Sequence, residues 1–391
     1  MIMLSSEENE TTSSSENATS SSSDQVEEDD DNLKLMGETL RHYNVIYEIG
    51  KGGYSIVWLV FNKLDRKFYA LKVQNPNEYT EGLNEIKFVQ RLPKEPNVFN
   101  NLIEYFIEKL DGKKYLCSIW NLHATNLDTL LRKGNYKLSF DTIIDIMKQL
   151  TSALNILHNK FKVFHGDIKT DNILVKGINN KNKLICDRYL ELYNELENNH
   201  KEITNKILNE SSNITSYEFE FDLLQNMKIS LADFGFYCDN NTEYDSPFGT
   251  RYYQAPEIIL MGKCSYPVDI WALGCTLFEL LTGTILFDPN KDSKNSRDYY
   301  HLCLINETCG KFPSSFLNKT KYYEDYFTSK YEIKDFKINN FNRLDRKIIE
   351  SDTNFTNDQI NSIKNILNKI LIIDYNKRIN INNLIIMLNN I

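Results

Sequence analysis

The chain is 391 residues long and 41% hydrophobic, which gives apolar material for sizeable cores and length for two or three domains of ordinary size. It has no run of about 18 apolar residues and opens without a basic-then-apolar leader, so neither a membrane-spanning helix nor a secretory signal is expected, nor a membrane partner. The net charge of −9 sits in one place: ten acidic residues fall between Glu7 and Asp31, and beyond residue 36 acidic and basic residues balance at 44 each (54 less 10, 45 less 1).

Residues 1–40 therefore read as an acidic, serine-rich tail. Almost no apolar residue follows Leu4, so burial cannot offset ordering entropy and disorder is expected. The plain reading is a solubilising tail; the sharper one is a tail that attracts basic substrates, competes with acidic ones or is itself phosphorylated. Strand patterns begin with alternating Tyr43, Val45 and Tyr47, followed by a glycine cluster. Residues 56–61 and 68–73 are β-branched and aromatic runs joined by a polar hairpin connection. Residues 81–92 switch to helical spacing. Two further strands, 102–108 and 114–120, meet at the Asp111-Gly112 turn.

From about residue 122 the pattern is helical. A broad apolar face covers 141–160, a second strongly apolar stretch covers 267–282, and 363–371 keeps 3.6-residue spacing before a last short helix around 384–388. The reading is an α+β architecture with a small β-rich lobe at 41–121 and a larger helical lobe at 122–391, and a ligand cleft between them. Residues 177–226 form an Asn-, Lys- and Glu-rich insert. Tyr189, Leu192, Tyr193, Leu196, Ile203 and Ile207 predict one amphipathic helix between flexible arms, read plainly as a helix packed on the large lobe or a surface loop and more sharply as a docking site for a partner. The seven cysteines (117, 186, 238, 264, 275, 303 and 309) form no C-x-x-C pair, so reduced thiols in the cytoplasm or nucleus are expected.

Chemistry concentrates in four places. Residues 165–172 read His-Gly-Asp-Ile-Lys-Thr-Asp-Asn, and Asp233-Phe234-Gly235 follows a short strand. Asp167 is suited to accept a proton from a substrate hydroxyl and Lys169 to neutralise charge on a moving phosphoryl group. Asn172 and Asp233 are suited to hold magnesium. Ile49-Gly50-Lys51-Gly52-Gly53-Tyr54-Ser55-Ile56-Val57 lies in a strand–turn–strand context, where bare glycine backbone can approach phosphates; taken alone it is an ordinary hairpin turn. Ala70-Leu71-Lys72 places a lysine in the next strand but one, and Glu85 on the following helix is its candidate ion-pair partner. A buried structural histidine explains His165 better than a proton shuttle.

In this order the motifs resemble those of eukaryotic-type serine/threonine protein kinases over roughly 43–391. The stretches 50–59, 79–81, 84–87, 165–169, Thr250-Arg251 and 301–311 are most similar to the SR-protein kinases, which also carry a long spacer at the place of the insert. The resemblance implies a bilobal kinase-like fold and transfer of phosphate from ATP, with Mg2+, to protein Ser/Thr hydroxyls. It implies a basic or Arg/Ser-rich substrate, a monomer and no direct nucleic-acid partner. Nucleotide contacts are then expected from Ile49 through Val57, Ala70, Lys72 and Glu85, catalysis from Asp167 and Lys169, and metal binding from Asn172 and Asp233. It further implies that Thr250 contacts Asp167 and Lys169, that Glu257 pairs with Arg378, and that Asp269 braces the catalytic loop. Gly166 stands where most kinases carry a phosphate-gathering arginine, which predicts activity without phosphorylation of the activation segment. Gln254 replaces an arginine common in the wider group, Trp120 falls near the gatekeeper position, and no acidic docking cluster is evident in the large lobe. The rival readings are a pseudokinase scaffold and a small-molecule kinase; the peptide-positioning segment 249–257 argues against the second.

Overall fold

The computed structural model describes residues 33–110, 112–196, 199–211, 218–219, 221–240, 244–290, 294–336, 344–350 and 355–391. The expected disorder of the acidic tail falls on residues 1–32, outside the described residues, as does Asp111 of the expected turn. The body begins at Leu35 rather than after residue 40. Leu35 and Leu40 are buried, and strand β1 (Thr39–Leu40) pairs with β2 (Tyr43–Lys51), so these two leucines belong to the core.

The small lobe is an antiparallel sheet in the order β1-β2-β3-β4-β6-β5, with β3 at Ser55–Asn62, β4 at Lys67–Gln74, β5 at Leu102–Leu110 and β6 at Lys113–Asn121. Its register sets Val57 opposite Lys72, and Ala70 opposite Trp120, in one patch of the sheet. Helix α1 (Tyr79–Val89) follows β4 and buries Glu85, Ile86, Phe88 and Val89.

A second, three-stranded sheet, β10-β9-β7, carries the chemistry-bearing turns. It consists of β7 (His123–Asn126), β9 (Ile173–Lys176) and β10 (Ile229–Leu231), while β8 (Val163–Phe164) pairs with β11 (Cys238–Asp239). Antiparallel pairing of Ile173 with Leu231 brings Asn172 beside the turn that starts at Ala232, and Ala232 N–H donates to Asn172 O at 2.9 Å. This register collapses the long sequence gap between the two motifs.

Helix α2 (Phe140–Asn155) starts where Ser139 Oγ accepts from Thr142 N–H at 3.2 Å, and it buries Ile143, Ile146, Met147, Leu150 and Leu154. The remaining helices are α3 (Asn180–Glu195), α4 (His200–Ser211), α5 (Phe221–Gln225), α6 (Pro256–Ile259), α7 (Pro267–Thr282), α8 (Arg297–Cys309), α9 (Ser314–Leu317), α10 (Tyr323–Tyr326), α11 (Leu344–Glu350), α12 (Asn357–Ile370) and α13 (Ile381–Asn389). Helix α7 is buried from Val268 through Leu281, the hydrophobic centre of the large lobe. Proline at its first turn and Gly283 at φ +70° just past its end give it defined limits.

The insert departs from expectation in two ways. Its apolar residues fall on two helices, α3 and α4, because the Asn-rich stretch before His200 favours a break over helix interior. Both pack against the small lobe rather than the large one: Ile185, Cys186, Tyr189, Leu192, Ile203 and Ile207 form one buried cluster with Ile46, Leu59 and Phe61. The spacing predicted an apolar face correctly but carried no information on which lobe it would meet.

Candidate active site

A cleft of about 630 Å³ lies between the six-stranded sheet and the large lobe. Ile49, Gly50, Lys51, Gly52, Ser55, Val57, Ala70, Lys72, Glu85, Asn172 and Asp233 all line it. Gly53, Tyr54 and Ile56 do not: Tyr54 is exposed at the tip of the turn, and Ile56 follows the alternation of β3 to the other face. Gly52 N–H donates to Ser55 O at 2.9 Å, closing the turn. Built Cβ atoms on Gly50, Gly52 and Gly53 would meet nothing closer than 3.8 Å, so these glycines are not demanded by internal packing. They leave bare backbone along the cleft, which suits a phosphate-bearing ligand.

Across the cleft, Lys72 Nζ and Glu85 Oε2 are 2.9 Å apart. Burial alone would pull the lysine down, but the carboxylates of Glu85 and Asp233 outweigh it and hold its pKa above the ordinary value. The other Glu85 oxygen accepts from Phe234 N–H at 3.2 Å, tying α1 to the Asp233-Phe234-Gly235 turn. Phe234 is buried between Phe88, Phe99 and the His165 ring, with centroids 5.4, 6.0 and 4.9 Å away.

Asp167 is the most heavily engaged group. Its Oδ2 lies 2.9 Å from Lys169 Nζ and its Oδ1 accepts from Thr250 N–H at 2.7 Å. Burial raises its pKa, yet Lys169 and the Thr250 donors more than compensate and hold it below the ordinary carboxylate range. Lys169 Nζ also donates to Thr250 Oγ1 at 2.6 Å. Asn172 Nδ2 donates to the main-chain and side-chain oxygens of Asp167 at 2.9 and 3.1 Å. That leaves Asn172 Oδ1 and the Asp233 carboxylate as the oxygen ligands for a hard cation, a pair that fits an ion shared with phosphate oxygens.

The supporting shell follows expectation. Asp269 accepts from the backbone N–H groups of His165 and Gly166 at 2.8 and 2.9 Å and from His158 Nε2 at 2.8 Å. Arg378 makes a two-pronged pair with Glu257 at 2.7 and 3.0 Å and lies over the Trp271 ring. His165 Nε2 donates to Ala232 O at 3.1 Å, so its Nδ1 accepts from Asp167 N–H at 3.2 Å. The imidazole is a brace between the two turns.

The protein kinase domain family matches this chain over residues 43–209 and 221–387. The chain belongs to the protein kinase family. A serine/threonine-protein kinase SRPK of Physarum polycephalum is 30% identical over 316 residues, covering 76% of this chain and 74% of that protein. A putative serine/threonine-protein kinase L205 of Acanthamoeba polyphaga mimivirus is 26% identical, covering 71% and 74%. The serine/threonine-protein kinase prp4 of Schizosaccharomyces pombe is 28% identical, covering 75% of this chain and 51% of its own length. The kinase is thus a protein serine/threonine kinase of eukaryotic type, similar to the SR-protein kinases.

Trp120, expected near the gatekeeper position, lines the kinase's cleft and is buried there, its indole N–H donating to Ser118 Oγ at 2.8 Å. Several other residues of the cleft were not singled out from sequence. His123 Nδ1 lies 3.0 Å from Asn121 O; burial pushes this histidine down to about 4, so the neutral ring donates to that carbonyl. Asn179, Lys181 and Asn182 of the insert form part of the wall. Their one legible signal was Asn179 followed by a helical pattern, since Asn179 Oδ1 caps α3 by accepting from Asn182 N–H at 2.8 Å. Asp128 and Glu279 pair with Arg132, with Asp171 nearby, but Glu279 is buried and also accepts from Thr170 and Tyr253, so the group is largely an internal network beside residues 165–172. Three distant segments supply them, so no local spacing announces the group. Gln254 turns its amide toward Phe248 O at 2.9 Å and Gly249 O at 3.3 Å, bracing the segment from within.

Proposed function

We propose that this kinase transfers the γ-phosphate of ATP, with Mg2+, to Ser/Thr hydroxyls of basic, Arg/Ser-rich proteins, as a monomer in the cytoplasm or nucleus. One observation carries the reading. The Lys72–Glu85 pair and Asn172 line one cleft, and Asn172 donates to Asp167, which Lys169 and Thr250 hold in place beside it.

Magnesium, when bound, neutralises charge on the phosphates and would be held by Asn172 Oδ1 and Asp233. The protein's own groups do the rest by positioning and charge. Lys72, fixed by Glu85, presents an ammonium to the phosphates. Backbone from Gly50 to Ser55 covers them. Asp167 receives the proton of the substrate hydroxyl as its oxygen bonds to phosphorus and the bond to the leaving ADP breaks. Its lowered pKa keeps it ionised at neutral pH, ready to orient that hydroxyl. Lys169, shared with Thr250, steadies the charge on the transferred group.

Asp128 and Asp171 support a basic substrate. Asp128 and Glu279 both pair with Arg132, and burial together with Asp128 raises the pKa of Asp171. Glu279 is buried in that pairing, so Asp128 and Asp171 are the carboxylates near the surface here, partly offset by Arg132 and Lys169. The unpaired state of all seven cysteines supports a reducing compartment, and no described helix is long and apolar enough to cross a membrane. The test is phosphorylation of a peptide library spanning Arg/Ser repeats, acidic and proline-directed sequences. Arg/Ser repeats are expected to lead; equal or better use of acidic peptides sinks the substrate assignment. An Asp167→Asn variant that keeps wild-type transfer sinks the catalytic one.

A further inference from the structure

The insert is rooted in the large lobe but its body lies on the small one. Its neck closes at the small sheet, where Lys176 N–H donates to Lys228 O at 2.8 Å. Strands β9 and β10, which it connects, hold Asn172 and Asp233 at their ends. From there α3 and α4 reach β2 and β3. Phe61 packs on Tyr189 and Tyr193 with centroids 5.0 and 4.9 Å apart, and Phe68 meets Tyr189 edge-on at 5.9 Å.

A buried polar chain runs through the same contact. Asn44 Nδ2 donates to Tyr189 Oη at 3.0 Å, that hydroxyl donates to His200 Nδ1 at 2.8 Å, and His200 Nε2 donates to Val45 O at 3.0 Å. All donors and acceptors in this chain find partners, so its geometry is specified rather than merely greasy. At the cleft rim Tyr47 pairs with Asn182, and Asn179 Nδ2 donates to Ala124 O at 2.8 Å. The insert therefore contacts β2, β3 and β7 and continues into β9 and β10, all of which border the cleft.

We propose that the insert is a strut that fixes the opening of the nucleotide cleft, with Tyr189, His200 and Asn179 as positioning residues that act on nucleotide binding through β2, β3 and β7. Rotation of the small lobe away from the large one must shear the aromatic cluster and break both polar anchors. The nucleotide-competent closure is thereby populated before any nucleotide arrives, and none of the ligand's binding energy goes into producing it. Loss of the strut lets the lobes part, and the apparent affinity falls by the fraction of molecules that remain closed.

The inference rests on the nucleotide occupying this cleft, so the full chain is first titrated with Mg2+ and a non-hydrolysable ATP analogue. Absence of binding by the wild type overturns the proposed function itself. Given binding, if Tyr189→Ala leaves only about a tenth of molecules closed, its dissociation constant rises about tenfold. KM for ATP should rise in step while kcat at saturating ATP stays within about twofold. Tyr189→Phe and His200→Gln, which keep the packing and loosen the polar chain, are expected to show smaller rises of about threefold. Lys206→Ala, on the exposed face of α4, serves as the control at wild-type affinity. Hydrogen exchange of α3 and α4 reports whether the strut has detached. If Tyr189→Ala does not fold, the two milder variants decide. Wild-type nucleotide affinity in folded variants overturns the strut, as does a fall in kcat with KM unchanged.

Discussion

A Cβ on Gly166 would lie 2.6 Å from the Phe236 carbonyl oxygen, and the backbone there has φ +82°. Gly249, at φ +72°, is as tightly placed: its Cβ would lie 2.5 Å from Gly166 O. Glycine at 166 is therefore required by the apposition of the catalytic loop with the two ends of the activation segment. Gly166→Ala is expected to cost about 1–3 kcal/mol of stability and to lower kcat more than it raises KM for ATP, since Asp167 is the next residue. Thermal unfolding with steady-state kinetics checks this; a variant with wild-type stability and kcat overturns it. His200 supplies a second residue-scale prediction. Burial lowers its pKa, Lys63 adds to that, and Val45 O and Glu38 oppose it. Tyr189 and Thr204 face its Nδ1, and Lys201 reaches Glu38 nearby. The folded state thus binds fewer protons than the unfolded one below the unfolded histidine pKa of about 6.5. Its stabilising contribution is complete above that pH and fades as the pH falls. Melting midpoints at pH 5.5 and 7.5 should differ more for the wild type than for His200→Gln; equal differences refute the assignment.

At the scale of the element, the activation segment is held by contacts that need no phosphate. Thr250 binds Asp167 and Lys169, Gln254 binds Phe248 O, β11 pairs with β8, and Tyr244 stacks on Phe248 at 4.2 Å. Most kinases gather a phosphate here with an arginine; Gly166 has no side chain to do so. Phosphatase-treated enzyme, its phosphate loss confirmed by mass spectrometry, should keep most of its activity. Loss of the greater part would show that a phosphate orders the segment after all. The same scale marks the limit of sequence reading. Strands β2 to β6 were legible because alternation is local, and Lys72, Asp167, Asn172 and Asp233 because each sits in a short motif and the motifs follow one another in a distinctive order. The destination of α3 and α4 was not: Ile185, Tyr189 and Leu192 make the same apolar stripe whichever surface they cover. Leu35 and Leu40 were assigned to the tail because the few apolar residues after the acidic run (Leu33, Leu35, Met36, Leu40) show no clear period.

Over the whole molecule, the consequence is mechanical coupling. One hydrophobic cluster runs from Ala70 and Phe88 on the small lobe through Phe234 and α2 to α7, α12 and α13. A second joins β2 and β3 to the insert, whose roots lie in the large lobe. Asp128, Asp171 and Glu279 meet only because this packing assembles segments far apart in the chain, which is why the acidic trio escaped a linear reading. Two lobes joined by a lone linker would be free to melt separately. Two lobes sharing both clusters should unfold together, so far- and near-ultraviolet signals should trace coincident thermal transitions. Because the nucleotide binds only the folded form, Mg2+ with an ATP analogue at 100 times its dissociation constant should add about 2.7 kcal/mol to the whole body. The single transition should then move upward as one. Two separable transitions, of which the nucleotide shifts only one, would mean that the lobes are energetically independent and that the shared cores and the strut do not couple them.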